Sequence, residues 1–295
     1  MDVTNPDKPM FPAAGHTKAD LVRYYATIAD RMLPWLAERP LTLERHPDGV
    51  DSKGFLQKNA SSHFSDRIGR IEVPKAGGTV THPVVRDEEG LVELANQAVI
   101  TFHVWTCALP DLAHPTHLVV DLDPEEGDID AVRRVARTTR SVLGRFDLAA
   151  ILVASGKKGF HLWAPIEPAE HDDVGMAARA LAGLVAAEAP DEATTEFRKR
   201  DRGGRVFVDW LRNRRAQTIV CPWSLRVTAG ASVATPVDWD ELDDIAPNTF
   251  TLDTAPSRLP IASPPASPLA VKAIVEAARG VGVDLDSEFD RFGRG

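Results

Sequence analysis

Two apolar, β-rich runs carry aspartates where a core strand would place valine or leucine: HLVVDLDP (117–124) and RVFVDWL (205–211). Burying such a charge without a partner is costly. In a strand, side chains i and i+2 point to one face with Cα atoms about 6.5–7 Å apart. Asp121 and Asp123 can therefore converge at the end of the first run, where Pro124 stops the ladder. Two carboxylates about 4 Å apart repel by roughly 4 kcal/mol at an effective dielectric near 20. A shared proton or a cation relieves that repulsion, and oxygen-only ligands suit Mg²⁺ or Mn²⁺. Asp209, if the fold brings it to the pair, completes a two-metal site for in-line phosphoryl or nucleotidyl transfer. The plainer alternative is a pair of turn-capping aspartates and an Asp on the exposed face of an amphipathic strand. Sequence separation does not choose between them.

Between these runs lies SGKKGFHLW (155–163). Ser155, Gly156 and Gly159 predict a tight turn between LAAILVA and FHLWAP, with backbone amides free to face an anion. Lys158, His161 and the Ser155 hydroxyl add donors. The segment is not a P-loop, because GxxxxGK[ST] is absent and a strand follows. A hairpin cradling a triphosphate and an ordinary glycine-rich hairpin are both open on spacing alone.

Around the runs, Thr17 and Asp20 predict a capping box that opens a helix through LVRYYATIADRMLPWLAER, kinked or ended by Pro34. PLTLERHPDG reads as a short strand and turn, and residues 91–105 as a helix passing into a strand. IDAVRRVARTTRSVLGRF and VGMAARALAGLVAAEAP carry helical patterns. THLVVDLDP, LAAILVASG, FHLWAP and RVFVDWL read as strands. The mixed order favours an α+β fold over doubly wound α/β. Residues 254–268 (TAPSRLPIASPPASP) hold five prolines and read as an extended linker. The expected organisation is therefore a domain over 1–253, a Pro-rich linker over 254–268 and a helical tail over 269–295.

Net charge is −9, yet its distribution matters more, because screening confines each charge to about 8–10 Å. Residues 196–215 hold eight Lys/Arg against Glu196, Asp201 and Asp209, whereas 238–253 hold six acids and no base. Such asymmetry suits one anion-binding face; solvated helix or loop charge is the alternative. No apolar stretch reaches the roughly 18 residues of a membrane span, and the N-terminus lacks the apolar centre of a secretory signal. Cys107 and Cys221 form no CxxC pair and read as buried small hydrophobes. A cytoplasmic protein is expected. His114 and His117 form an HxxH run without a visible third ligand and read as loop or strand-edge residues. Trp105, Trp163, Trp210 and Trp223 read as core.

Taken in order, NPDK and HTK near the N-terminus, then DLD, SGxKGxHL and VFVDW resemble the polymerase domain of the bacterial ligase D family. That family belongs to the archaeo-eukaryotic primase superfamily and works in non-homologous end joining. The resemblance covers about Asn5 to Asp244. It implies a primase-like α+β fold, with mixed and antiparallel sheets flanked by helices around a central active-site cleft. Asp121, Asp123 and Asp209 match its metal-binding carboxylates, which implies two ions, Mn²⁺ or Mg²⁺. Ser155, Lys158 and His161 match its triphosphate motif. Arg226 in PWSLR and His103 in FHVW match nucleotide-site positions. Lys8 and Lys18 match a pair that holds the 5′-phosphate of the downstream strand. Phe55 in GFLQK matches an aromatic near the template, with Lys58 as its basic neighbour. Leu56 departs from the second aromatic often found there, and Arg212 stands where the family often has a polar uncharged residue.

The implied activity is addition of NTPs or dNTPs, ribonucleotides included, to primer 3′-ends at short gaps and double-strand-break ends. A DNA ligase and a Ku-type end-binding protein are the implied partners, and the bacterial nucleoid the implied location. No KxDG ligase motif is present, so a stand-alone polymerase and an excised domain both fit. Two rivals are a DxD glycosyltransferase holding Mn²⁺ and a sugar nucleotide, and a non-catalytic DNA end-bridging module.

Overall fold

The computed structural model describes residues 2–125 and 128–285; the expected tail residues 286–295 lie outside them. A short hairpin, β1 (Pro9–Phe11) and β2 (His16–Thr17), leads into α1 (Lys18–Thr27). The capping box forms: Thr17 N–H donates to Asp20 at 2.8 Å, and the Thr17 hydroxyl accepts from the Asp20 amide. The single kinked helix expected next is two helices. The break falls at Ile28, before α2 (Ala29–Leu36), rather than at Pro34. Pro34 sits inside α2, where it removes one helical hydrogen bond, yet the ladder continues past it with Ala37 N–H donating to the Leu33 carbonyl.

β3 (Leu41–Arg45), β4 (Phe55–Gln57), α3 (Glu88–Asn96) and β7 (Val99–Val104) build the first half, with a separate hairpin of β5 (Gly69–Lys75) and β6 (Gly78–Val84). That hairpin was not expected from the strand pattern, although its turn carries Gly77 and Gly78 at positive φ. The second half runs β8 (His117–Asp123), α4 (Ile129–Gly144), β9 (Ile151–Ala154), β10 (Phe160–Pro165), α5 (His171–Glu188), β11 (Ala193–Thr194), α6 (Lys199–Arg202), β12 (Val206–Asp209), β13 (Ile219–Val220) and β14 (Thr235–Val237).

Two sheets frame the molecule. One has six strands in the order β11-β12-β8-β10-β9-β14, all antiparallel except β11 with β12. The other has four, β13-β7-β3-β4. On β8, Leu118, Val120 and Leu122 are fully buried while Asp121 and Asp123 alternate onto the other face. The amphipathic α4 and the alanine-rich α5 pack on the six-stranded sheet and on each other. The Asp128 carboxylate caps α4 by accepting from the Ala131 amide at 2.7 Å.

The chain from Cys221 to Arg226 ties the two sheets together. Cys221 N–H donates to Phe102 on β7, and the Ser224 hydroxyl accepts from the Phe102 amide at 2.8 Å. Tyr24 and Tyr25 of α1, both buried, donate to the Trp223 and Ile100 carbonyls. Trp105, Trp163 and Trp223 are buried and Trp210 is half-buried. The proline-rich stretch forms a bridge from Ser267 to Ile166, and α7 (Val271–Gly280) packs on α5 with Ile274 and Ala278 fully buried.

Candidate active site

Strand register assembles the acids. β12 pairs antiparallel with β8 so that Asp209 lies directly opposite Asp121, and β10 places His161 opposite Asp121 on the other side. Directly paired residues share a face, so Asp209, Asp121 and His161 form a row across three strands, with Asp123 two residues along. A cavity of about 630 Å³ opens there, lined by the three aspartates, Ser155 to Gly159, His161, Arg212 and Arg226.

The expected triphosphate turn closes one end of it. Ser155 N–H donates to the Gly159 carbonyl at 3.1 Å, and the Ser155 hydroxyl accepts from the amides of Lys157 and Gly159. Gly156 adopts φ +73° against Arg226 and the Val233 backbone. A Cβ at Gly159 would come within 1.7 Å of the Leu122 carbonyl oxygen, so only glycine lets the turn pass over β8. Arg226, half-buried, donates to the Ser155 carbonyl at 3.0 Å. Lys157 and Lys158 are exposed at the tip.

The charges are compensated in a specific way. Burial pushes the Asp121 and Asp209 carboxyls up, Asp209 to about 6, with neighbouring carboxylates adding to the rise and Arg212 opposing it. Arg212 bridges them: its Nε lies 3.3 Å from Asp121 and its Nη2 3.1 Å from Asp209. Asp123 instead pairs with Arg202 at 2.9 Å. Arg202 is buried, donates also to the carbonyls of Glu196 and Phe197, and lies over the Phe207 ring. Two arginines of the basic 196–215 stretch are thus turned toward the acids. The single anion-binding face expected from that stretch needs this correction, because local charge balance claims part of it. The acidic 238–253 stretch is likewise engaged, with Asp243 on Arg137 of α4 and Glu241 on Arg258.

A divalent cation fits this donor set. The aspartates supply oxygen-only ligands on one face, and burial raises the pKa of Asp121 and Asp209 among them. Among the described residues no three His, Cys, Asp or Glu side chains already converge on one point; Arg212 spans Asp121 and Asp209, and Arg202 holds Asp123.

His161 is buried with Nε2 3.6 Å from Asp121, and burial, followed by Arg226 and Arg212, holds its pKa well below the usual imidazole range. His103, on β7, lies apart from the cavity lining but within its electrostatic reach; burial lowers its pKa too. Its Nε2 is 3.5 Å from Glu44, whose carboxyl is held at about 2 chiefly by this histidine. His161 Nδ1 and Arg226 Nε, both of cavity-lining residues, are buried without a hydrogen-bond partner among the described residues. Two orphaned polar atoms in the lining of one cavity are the mark of a site built for a polar ligand.

The remaining expected residues form a second locus. Lys18 N–H donates to the Lys8 carbonyl at 2.8 Å, bringing the two lysines together at the start of α1. Lys18 is buried, its Nζ donating to Thr4, and burial followed by Lys8 and Arg45 lowers its pKa. Lys8 pairs with Asp48 at 2.7 Å. Phe55 on β4 is half-exposed under the Arg45 guanidinium, and Lys58 is exposed just beyond the strand. Neither locus contains the HxxH pair. His114 bridges Asp111 and Glu170, and His117 starts β8 among Trp35, Trp163 and Arg39. Glu44, Arg45 and Arg202 were not singled out from sequence, where each reads as an ordinary charge.

A family model described as the LigD primase-polymerase domain matches residues 17–265. The chain is 36% identical over 261 residues to the multifunctional non-homologous end joining protein LigD of Mycolicibacterium smegmatis, covering 87% of this chain and 34% of that protein. To the bifunctional non-homologous end joining protein LigD of Bacillus subtilis it is 30% identical over 264 residues, covering 88% and 42%. The chain thus spans about a third of the mycobacterial relative's length. The polymerase domain from Mycobacterium tuberculosis ligase D in complex with DNA superposes with a TM-score of 0.83 at 35% identity, over 88% of this chain and 93% of that one. Sequence match and shared architecture agree, and the chain belongs to the LigD primase-polymerase domain family.

Proposed function

We propose that this chain is a DNA-repair nucleotidyltransferase that adds nucleotides, ribonucleotides included, to primer 3′-ends at short gaps and broken ends. The observation that carries the reading is the row of Asp209, Asp121 and His161 across three strands, facing a cavity closed by the Ser155–Gly159 turn. Asp121, Asp123 and Asp209 would hold two divalent ions, Mn²⁺ or Mg²⁺, which when bound lower the pKa of the primer hydroxyl and neutralise the leaving pyrophosphate.

The protein's own groups do the positioning. Ser155 and Lys158 hold the β and γ phosphates at fixed positions, which removes orientational freedom before reaction. Arg226 is anchored on the Ser155 carbonyl and keeps its unpaired Nε for the nucleotide. His161, neutral at pH 7, offers a hydrogen bond without adding charge beside Asp121. His103 plays the same part from the second sheet. Lys8 and Lys18 bind the 5′-phosphate of the downstream strand, while Phe55 and Lys58 contact the template. A ligase and a Ku-type end-binding protein are the partners this role calls for, at the nucleoid.

The test is one assay: labelled NTP, Mn²⁺ and a primed gap bearing a 5′-phosphate. Extension of the primer is expected. DNA binding without extension would favour an end-bridging module, and sugar-nucleotide turnover without extension would favour a glycosyltransferase.

A further inference from the structure

The two arginines that neutralise the aspartates are held differently. Arg202 is buried and fixed by two backbone carbonyls and an aromatic ring besides Asp123. Arg212 has a side chain 38% exposed to the cavity, and both of its described partners are carboxylates of the metal-ligand set. Its backbone, by contrast, is rigid. The turn Leu211–Asn213 is clamped by fully buried Asn213, which donates to the Val119 and Trp210 carbonyls and accepts from the Val119 amide. The guanidinium can therefore swing while its root stays fixed.

The geometry points to Arg212 as a displaceable counter-ion that makes divalent-ion binding between Asp121 and Asp209 depend on a triphosphate held by the Ser155–Gly159 turn. This rests on the nucleotidyltransferase reading above. Without nucleotide, Arg212 must abandon two charge-assisted contacts to admit a cation, and then faces a like charge at close range. With a triphosphate in the same cavity, the released guanidinium gains an anionic partner that its fork matches. Both ligands then favour the same arginine position, which couples their affinities reciprocally.

The experiment measures Mn²⁺ binding to the full chain at pH 8 by electron paramagnetic resonance of the free ion. Titrations are run alone and with an α,β-methylene nucleoside triphosphate, for wild type, Arg212→Gln and Arg212→Lys. Arg212→Gln is expected to bind Mn²⁺ alone about tenfold more tightly than wild type. The tightening produced by the analogue is expected to be about tenfold smaller in Arg212→Gln than in wild type. Chelation of Mn²⁺ by the analogue is common to all proteins and cancels in that comparison. Arg212→Lys keeps a charge but loses the planar fork that meets both carboxylates, so it is expected to fall between the two. It carries the test if Arg212→Gln does not fold, and wild-type Mn²⁺ affinity in it then overturns the proposal. Equal affinity and equal coupling in wild type and Arg212→Gln overturns the role of Arg212 and leaves the metal site standing. Absence of Mn²⁺ binding in every protein, with and without the analogue, overturns the metal-site reading and this proposal with it.

Discussion

Asp121 meets Asp209 and His161 on its two flanking strands and Asp123 two positions along its own. Replacing Asp121 or Asp209 with Asn keeps the shape but removes charge from a site whose chemistry needs it. Each variant is expected to lose at least about a thousandfold in single-nucleotide extension while DNA affinity stays within about threefold. Parallel extension and anisotropy measurements check this, and a matching loss of DNA binding would contradict the division of labour. Glu44 gives a pH prediction. Its carboxyl is held at about 2, chiefly by His103, below the ordinary 4.5. Its stabilising contribution is therefore complete above about 4.5 and fades as pH falls toward 2. Glu44→Gln is expected to cost roughly 1–3 kcal/mol near neutral pH, with the gap to wild type closing across that window. Urea midpoints from pH 7 to pH 3 read it out. Of these groups the aspartates stood out in the sequence because acids interrupt apolar runs. Glu44 did not, because LTLER looks like any strand edge until His103 is placed beside it.

At the level of elements, the turn over β8 and the clamp at Asn213 set how closely strands approach. Gly159→Ala forces a methyl into the Leu122 carbonyl and is expected to destabilise the fold by at least about 3 kcal/mol. Gly144→Ala, in α4 with nothing near the added carbon, is expected to stabilise by about 0.5–1 kcal/mol. Chemical unfolding of the pair checks the contrast, and equal effects would contradict the close approach. The capping box, the strand runs and α4 and α5 were legible from local patterning. The break at Ile28 was not, because no proline or glycine marks it.

Over the whole molecule, a net charge of −9 coexists with a lysine pair at the start of α1 and cationic groups around the cavity. Replacing Lys8 and Lys18 with Gln is expected to erase the preference for gapped DNA bearing a 5′-phosphate over gapped DNA lacking one. The slope of log affinity against log salt should fall by about 0.9 for each phosphate that the variant no longer neutralises. Binding titrations at several salt concentrations on the two DNAs decide it, and an unchanged preference would remove the lysines from that role.

Local physics determined much from the residues themselves: which segments prefer strand or helix, where a turn demands glycine, and that acids inside apolar runs require a cation or a proton. Only the tertiary structure decided that Asp209 stands beside Asp121, that Arg212 spans them and that Arg202 takes Asp123. The reason is register. Strand pairing between distant segments is set by how α4, α5 and the Asn213 clamp seat β12 against β8, and a slip of one residue would turn Asp209 to the opposite face.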